Sequence, residues 1–183
     1  MRGDGAAGGR VLSRARRLWE LLRRGEIVRA GKQVRKLIWS TTTEYAVRKD
    51  LSVPVEVEPA RIPIRVRPLE PRDLDRLFDP RSGDSAVQLW RQRRLLDAGI
   101  PGCWVAVDRQ GDPCFMVWLV HPDQNEAMRQ EFGAAIPPLE PDEVLMESGF
   151  TPQRYRSQRI GPEALSRILQ TVGPETRWAV AYT

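Results

Sequence analysis

The chain is poor in residues that support metal, redox or histidine chemistry: its 183 residues include two cysteines and one histidine. His121, Cys103 and Cys114 make no cluster at metal-ligand spacing, which excludes a structural zinc site. The cysteines fall on two strands of an expected hairpin, residues 103–108 and 114–121, joined by Arg109-Gln110-Gly111-Asp112. With the turn there, Asp108 faces Pro113 and the cysteines miss being opposite by several residues, so no disulfide is expected. His121, at a strand end before Pro122, reads as structural. Ser157 has no His–Asp pair near it in sequence, which excludes a triad-type nucleophile. Long apolar runs are missing too. No stretch reaches transmembrane length, and the N-terminus lacks the apolar core of a signal peptide, so a cytoplasmic location is expected.

What is present is ordinary soluble-protein composition, 41% hydrophobic and 29% charged, in a length that predicts one domain plus an extension. The net charge of +5 is unevenly placed. Residues 1–50 hold 13 Lys/Arg against 5 Asp/Glu, while the remainder holds 16 against 19. The basic character therefore belongs to the extension, which argues against nucleic acid as a partner of the whole protein.

Residues 1–10 are Gly-rich and predict disorder. Residues 11–59 form a basic extension and linker. Val11, Ala15, Leu18, Trp19 and Leu22 repeat at helical spacing among arginines, and Val34, Leu37 and Ile38 follow after breaks near Gly25 and Gly31. Three uses fit residues 11–39: a helix or helical hairpin packed on the domain or a second subunit, attachment to an anionic membrane surface, or nucleic-acid binding. Residues 44–51 alternate as a short edge strand. A Pro-punctuated linker then places the domain boundary near Pro59.

From residue 60 the pattern predicts an α+β domain. Ile64, Val66 and Pro68 alternate with Arg65 and Arg67 in a half-exposed strand. Leu74, Leu77 and Phe78 mark a helix after Pro71. A second helix spans residues 85–98, with Ala86, Val87, Leu89, Trp90 and Leu96 as its stripe and Gly99 as its stop. The hairpin follows. Residues 121–143 show little pattern beyond a helical hint at 123–132, and connections this long often serve as lids. Their acidic residues Asp123, Glu126, Glu131, Glu140, Asp142 and Glu143 face a single Arg129. That suits either attraction of a cationic amine or plain solvation.

Residues 143–172 organise the domain. A strand over residues 143–150 puts Val144, Met146 and Ser148 on one face, and Leu145 and Glu147 on the other. A turn with Arg154, Arg156 and Arg159, and no acid of its own, precedes a helix expected to open with Gly161 as N-cap and Pro162 first. Ala164, Leu165, Ile168, Leu169 and Val172 give that helix its apolar face. Helix N–H groups and guanidinium forks there favour an anion, foremost a phosphate.

Tyr155-Arg156-Ser157-Gln158-Arg159-Ile160-Gly161 resembles the Arg/Gln-x-x-Gly-x-Gly/Ala loop of the GNAT acyltransferase superfamily, with Arg159 at the first glycine position. The resemblance spans roughly residues 61–183 and implies a central mixed β-sheet flanked by helices. It further implies acetyl-CoA or another acyl-CoA as cofactor and direct N-acyl transfer to an amine; the alternative is a non-catalytic binding or scaffolding module. In that frame the backbone at Arg156, Ser157, Gln158, Arg159, Ile160 and Gly161 holds the cofactor. An N–H near Phe150 or Thr151 polarises the acyl carbonyl. Glu147 is the expected base, acting through water, and Glu143 the second choice. The strand over residues 177–183 is the fifth of the resembled fold. The helix and closing hairpin that the resemblance leads one to expect after it do not follow, so either the sequence is a fragment or its apolar edge predicts a homodimer or a completing chain.

Overall fold

The computed structural model describes residues 46–79 and 82–182. The disorder expected for residues 1–10 and the basic amphipathic segment 11–39, with its membrane and subunit uses, lie outside the described residues. The chain folds as α+β around one open, mixed sheet. Its strands are β1 (Ala46–Asp50), β2 (Arg65–Pro68), β3 (Cys103–Val107), β4 (Pro113–Val120), β5 (Glu143–Phe150) and β6 (Trp178–Tyr182), in spatial order β1-β6-β5-β4-β3-β2. Every neighbouring pair is antiparallel except β5 and β6.

β4 (Pro-Cys-Phe-Met-Val-Trp-Leu-Val) is buried at all eight positions, as a near-continuous apolar run requires of a central strand. Its Met116, Trp118 and Val120 face a core completed by α1 (Leu74–Leu77), α2 (Ala86–Asp97) and α3 (Asn125–Phe132). Its Phe115, Val117 and Leu119 face the opposite core under α4 (Ile160–Leu169), beside Ile160, Ala164 and Ile168. The sheet is therefore covered on both sides.

Local chemistry explains the helix ends. Ser85 caps α2, its Oγ accepting from the Gln88 N–H at 3.2 Å. At the other end Ile100 N–H reaches Leu95 O at 3.0 Å and Gly99 N–H reaches Leu96 O at 2.9 Å, with Gly99 at φ 68°. That is a Schellman ending, and the buried pair Leu95 and Ile100 supplies its hydrophobic contact. The innermost residues of α2 are Leu89, Gln92 and Leu95; Trp90 and Leu96, expected in the stripe, are half-buried. Before α1, the buried Asp73 accepts from Arg67 Nη1 and Nη2 at 2.7 and 2.8 Å and from Glu70 N–H at 2.8 Å.

Three expectations are corrected. The boundary near Pro59 falls inside the sheet, because β1 pairs antiparallel with β6 from Ala46↔Tyr182 to Asp50↔Trp178. For the same reason β6 has no open edge awaiting a second chain: the chain's own β1 fills it, and the sheet has six strands. The segment after β4 is no free lid. Asn125 clasps the Leu139 backbone with bonds of 2.8 and 3.0 Å, and Met128 and Leu139 are buried. Two of its acids are engaged as well, Glu126 with Arg129 and Gln130, and Glu131 with Arg94.

In the hairpin, Val107 rather than Asp108 faces Pro113, and Cys103 lies opposite Trp118. Both thiols are free, as expected. Burial raises each thiol pKa, Cys114 to about 12. Among the described residues no helix is long and apolar enough to cross a membrane.

Candidate functional site

Three elements meet at the C-terminal end of β5: the strand's last residues, the loop after it and the start of α4. Two irregularities mark this end. First, β5 pairs with β6 only at Glu143↔Trp178, Val144↔Ala179 and Leu145↔Val180, although both strands run on. Among the described residues, positions 146–150 of β5 have no pairing with β6, which itself runs two residues beyond Val180, to Tyr182. Second, the β4–β5 register jumps from Trp118↔Glu147 to Met116↔Phe150, so two residues of β5 oppose Val117. Ser148 sits at this bulge with φ 54°, a left-handed conformation uncommon for serine.

The bulge corrects the expected alternation. Phe150, two steps from Ser148, would fall on the Val144 face of a regular strand. Instead it is buried with Leu145 and Trp118 on the α2 side. Glu147, opposite Trp118, is half-buried on that same side, and Ser148 Oγ donates to its Oε1 at 3.0 Å.

Glu143 does not share this location. It begins β5, four residues from Glu147, or about 13 Å along an extended chain. Its Oε1 pairs with Arg48 Nη2 at 3.1 Å, and its Oε2 accepts the Glu140 N–H at 2.9 Å. Arg48 also lies over the Trp178 ring, 4.2 Å from its centroid. This carboxylate ties β1 to β5, at the opposite end of the strand from the loop.

The loop contains a short 3-10 turn, Gln153–Tyr155, followed by left-handed residues Ser157 (φ 63°) and Arg159 (φ 58°). Arg159 is the N-cap of α4, which starts at Ile160, so the expected cap at Gly161 shifts by two residues. The reason is Arg159's backbone, which turns the chain before glycine is reached. Gly161 lies against Phe115: an added Cβ would sit 3.5 Å from that ring and 4.0 Å from Thr151 Oγ1. One methyl fits there at ordinary contact distances.

The three arginines are not the unopposed cluster that the loop's own sequence suggests. Asp84, whose side chain is 0% exposed, pairs with Arg156 Nη2 and accepts the Gln153 N–H at 3.1 Å. Arg156 also reaches Gln88 Oε1 at 3.2 Å and Thr151 O at 3.1 Å, yet its side chain stays 43% exposed. Arg159 pairs with Glu58, both exposed. Arg154 lies 4.9 Å from the Tyr155 ring centroid. Gln158 O accepts the Arg61 N–H at 2.9 Å, which lays the linker along the loop.

Tyr155 anchors the loop to the β3–β4 turn. Its hydroxyl donates to Asp108 Oδ2 at 2.7 Å, and burial together with that bond pushes its pKa up to about 12. Phe150, Thr151, the backbone of residues 156–161 and Gly161 follow one another at this end of β5, with Gly161 on the α4 side against Phe115 and Glu147 on the α2 side opposite Trp118. Asp84, Gln88 and Asp108 were not singled out in the sequence. Their only local signals are a Ser-Gly-Asp turn before a helix and an acid at a hairpin turn.

No family model and no curated protein matches this chain. A solved structure described as a functionally unknown conserved protein from Staphylococcus epidermidis ATCC 12228 is similar over 66% of the chain, at 12% identity and a TM-score of 0.41. The chain spans 42% of that protein's length. Similarity at this level assigns neither fold family nor activity.

Proposed function

We propose that the chain is a GNAT-like N-acyltransferase domain that holds acetyl-CoA or another acyl-CoA at the unpaired end of β5, and passes the acyl group directly to an amine. The observation that carries this reading is the unpaired stretch of β5: its pairing with parallel β6 ends at Leu145, and a loop and the N-terminus of α4 follow the strand directly. An uncovered strand edge bonds amides of an extended ligand as another strand would, and the arm of CoA contains such amides. The N–H groups of Ile160 and Gly161 and the positive end of α4 suit its diphosphate. Arg156 adds charge from a position braced by Asp84 and Gln88.

The cofactor supplies an acyl group activated as a thioester. The chain's task is to orient it and to take a proton from the ammonium form of the acceptor. In this reading Glu147 removes the proton, directly or through one water, and the N–H groups of Phe150 and Thr151 orient the acyl oxygen. Glu58 does not compete seriously with a bound anion for Arg159, since an exposed pair is worth about 0–1 kcal/mol.

A thermal shift of the full chain with acetyl-CoA tests the reading. At about 100 times Kd, linkage adds about 2.7 kcal/mol of stability. Absence of any shift at millimolar acetyl-CoA overturns it. Replacing Gly161 with tryptophan blocks the loop against Phe115 and abolishes the shift; retained binding would mean the cofactor lies elsewhere. Turnover is read as amine-dependent release of free CoA thiol, which Glu147→Gln lowers by about 10²–10⁴-fold.

A non-catalytic cofactor-binding module is the second reading. It is favoured by Arg159 in a left-handed conformation at a glycine position of the resembled loop. That reading predicts the thermal shift without amine-dependent CoA release.

A further inference from the structure

The segment that joins β1 to β2 has a long way to go. These strands are the two edges of the sheet, a width of roughly 24 Å at ordinary strand spacing, and residues 51–64 connect them on the α4 side. Leu51, Ala60 and Ile62 are half-buried against the α4-side core, and Ile64 is buried in it. Residues 52–56 are exposed, but residues 58–64 are tied down at four points. Glu58 pairs with Arg159, and the Ala60 N–H donates to Glu163 Oε2. The Arg61 N–H donates to Gln158 O at 2.9 Å, and Ile64 O accepts from Arg167 Nη1 at 2.8 Å.

The ties fall where the loop's backbone is least comfortable. Ser157 and Arg159 have φ 63° and 58°, values that residues with a side chain seldom adopt. Such residues keep a left-handed conformation only where their surroundings hold them in it. Gln158 lies between the two, and its carbonyl is the one that Arg61 engages. Among the described residues, the hydrogen bonds and ion pairs that reach residues 157–159 from outside the loop all come from residues 58 and 61. The exposed Glu58–Arg159 pair contributes little to this hold. Glu163, in the first turn of α4, anchors the next residue of the segment and pairs with Arg167, which carries Ile64 O.

We propose that residues 58–64 are a strap that holds the loop over residues 156–161 in the form that receives the cofactor's diphosphate, with Glu163 and the Arg61 N–H as its positioning groups. This rests on the acyltransferase reading and adds to it the element that shapes the loop. Glycine reaches a left-handed turn without strain; here Ser157 and Arg159 make the same turns under the strap. Strap and ligand stabilise one loop conformation, so each tightens the other by the same factor. Neither Glu163 nor Arg61 touches the ligand in this reading. They act through the loop.

The test combines amide exchange with acetyl-CoA titration of the full chain. Glu163→Ala removes the acceptor for the Ala60 N–H. It quickens exchange at residues 157–161 in the free protein and weakens acetyl-CoA by about 10-fold, within the usual range of coupling between sites. Exchange in β4 and β5 stays at the wild-type rate. Glu163→Gln still offers an oxygen to that N–H and restores most of the affinity. Arg61→Pro, which deletes the donor to Gln158 O, reproduces the Glu163→Ala result through a different tie. In the wild type, acetyl-CoA slows exchange at Ala60 and Arg61. Unchanged exchange at residues 157–161 in both Glu163→Ala and Arg61→Pro overturns the proposal, and so does full acetyl-CoA affinity in both. Equal quickening across β4 and β5 also overturns it, because it marks plain destabilisation. A wild type that binds no acetyl-CoA, with residues 157–161 loosened in both variants, would instead strike the acyltransferase reading and leave the strap as a support of the loop alone.

Discussion

The two halves of β5 have the same sequence character and opposite fates. From Glu143 to Leu145 the strand is paired on its β6 side, and Leu145 meets Val120 on the other. Its first side chain is locked by Arg48 and the Glu140 amide. Beyond Leu145 the β6 side is unpaired among the described residues, the β4 side is interrupted by a bulge, and a carboxylate sits half-buried beside it. The first half is tied into the sheet on both sides, and the second is where the proposed site lies. On that proposal an acid on β5 is structural or chemical according to which half it occupies, a distinction that separates Glu143 from Glu147.

Truncation should expose this difference most strongly. Leu145→Ala removes a fully buried side chain from the closed half and is expected to cost about 2–5 kcal/mol by urea unfolding. Met146→Ala, the next residue and the first of the open half, is half-buried and should cost clearly less; equal costs would erase the contrast. Next comes the brace behind the loop. Asp84→Asn keeps an acceptor for Gln153 N–H but deprives Arg156 of its charge partner, at about 1–3 kcal/mol. Faster amide exchange should then appear in residues 151–159 and not in β1 or β6.

Smaller still is Glu143→Gln, which loosens a half-exposed ion pair worth about 1 kcal/mol or less. It should leave amine-dependent CoA release unchanged where Glu147→Gln abolishes most of it. Equal loss in both would keep Glu143 among the candidate bases. The least effect belongs to Asp50 at the edge of the closed half. Hydrogen bonds from the Ser52 hydroxyl and backbone, then from Arg177, hold its carboxyl below the usual range. A depressed folded pKa contributes stability above the ordinary carboxylate range and loses it as pH falls through the folded value. Amide exchange in β1 should therefore quicken at acidic pH, and Asp50→Asn should flatten that dependence.

Much of the layout is local and was legible from the sequence. The alternation in β2, the apolar run of β4, the Gly99 stop of α2, and the apolar stripe of α4 each follow from neighbours a few residues apart. The misses are long-range. Nothing near residues 46–50 announces a partner 130 residues later, so β1 read as part of an extension. The acid that engages Arg156 lies 72 residues away, which made a paired guanidinium look free. The bulge at Ser148 carries no glycine at its left-handed position, so the reversal of Phe150 to the α2 side had no local warning. Gln92 did leave a trace. It is a polar residue spaced three from both Leu89 and Leu95, within the face that packs inward.

The pairing of β1 with β6 also sets the order in which the sheet can form. Strands β2 to β5 meet neighbours close in sequence, except where α1 and α2 separate β2 from β3. β1, by contrast, has no partner until Trp178–Tyr182 has been synthesised and docked on β5. Closing so long a loop slows folding and leaves β1 as an unsatisfied strand for most of translation. The last step to native structure is then the docking of the first described strand, and a chain halted before residue 178 would lack the strand that pairs with the first half of β5.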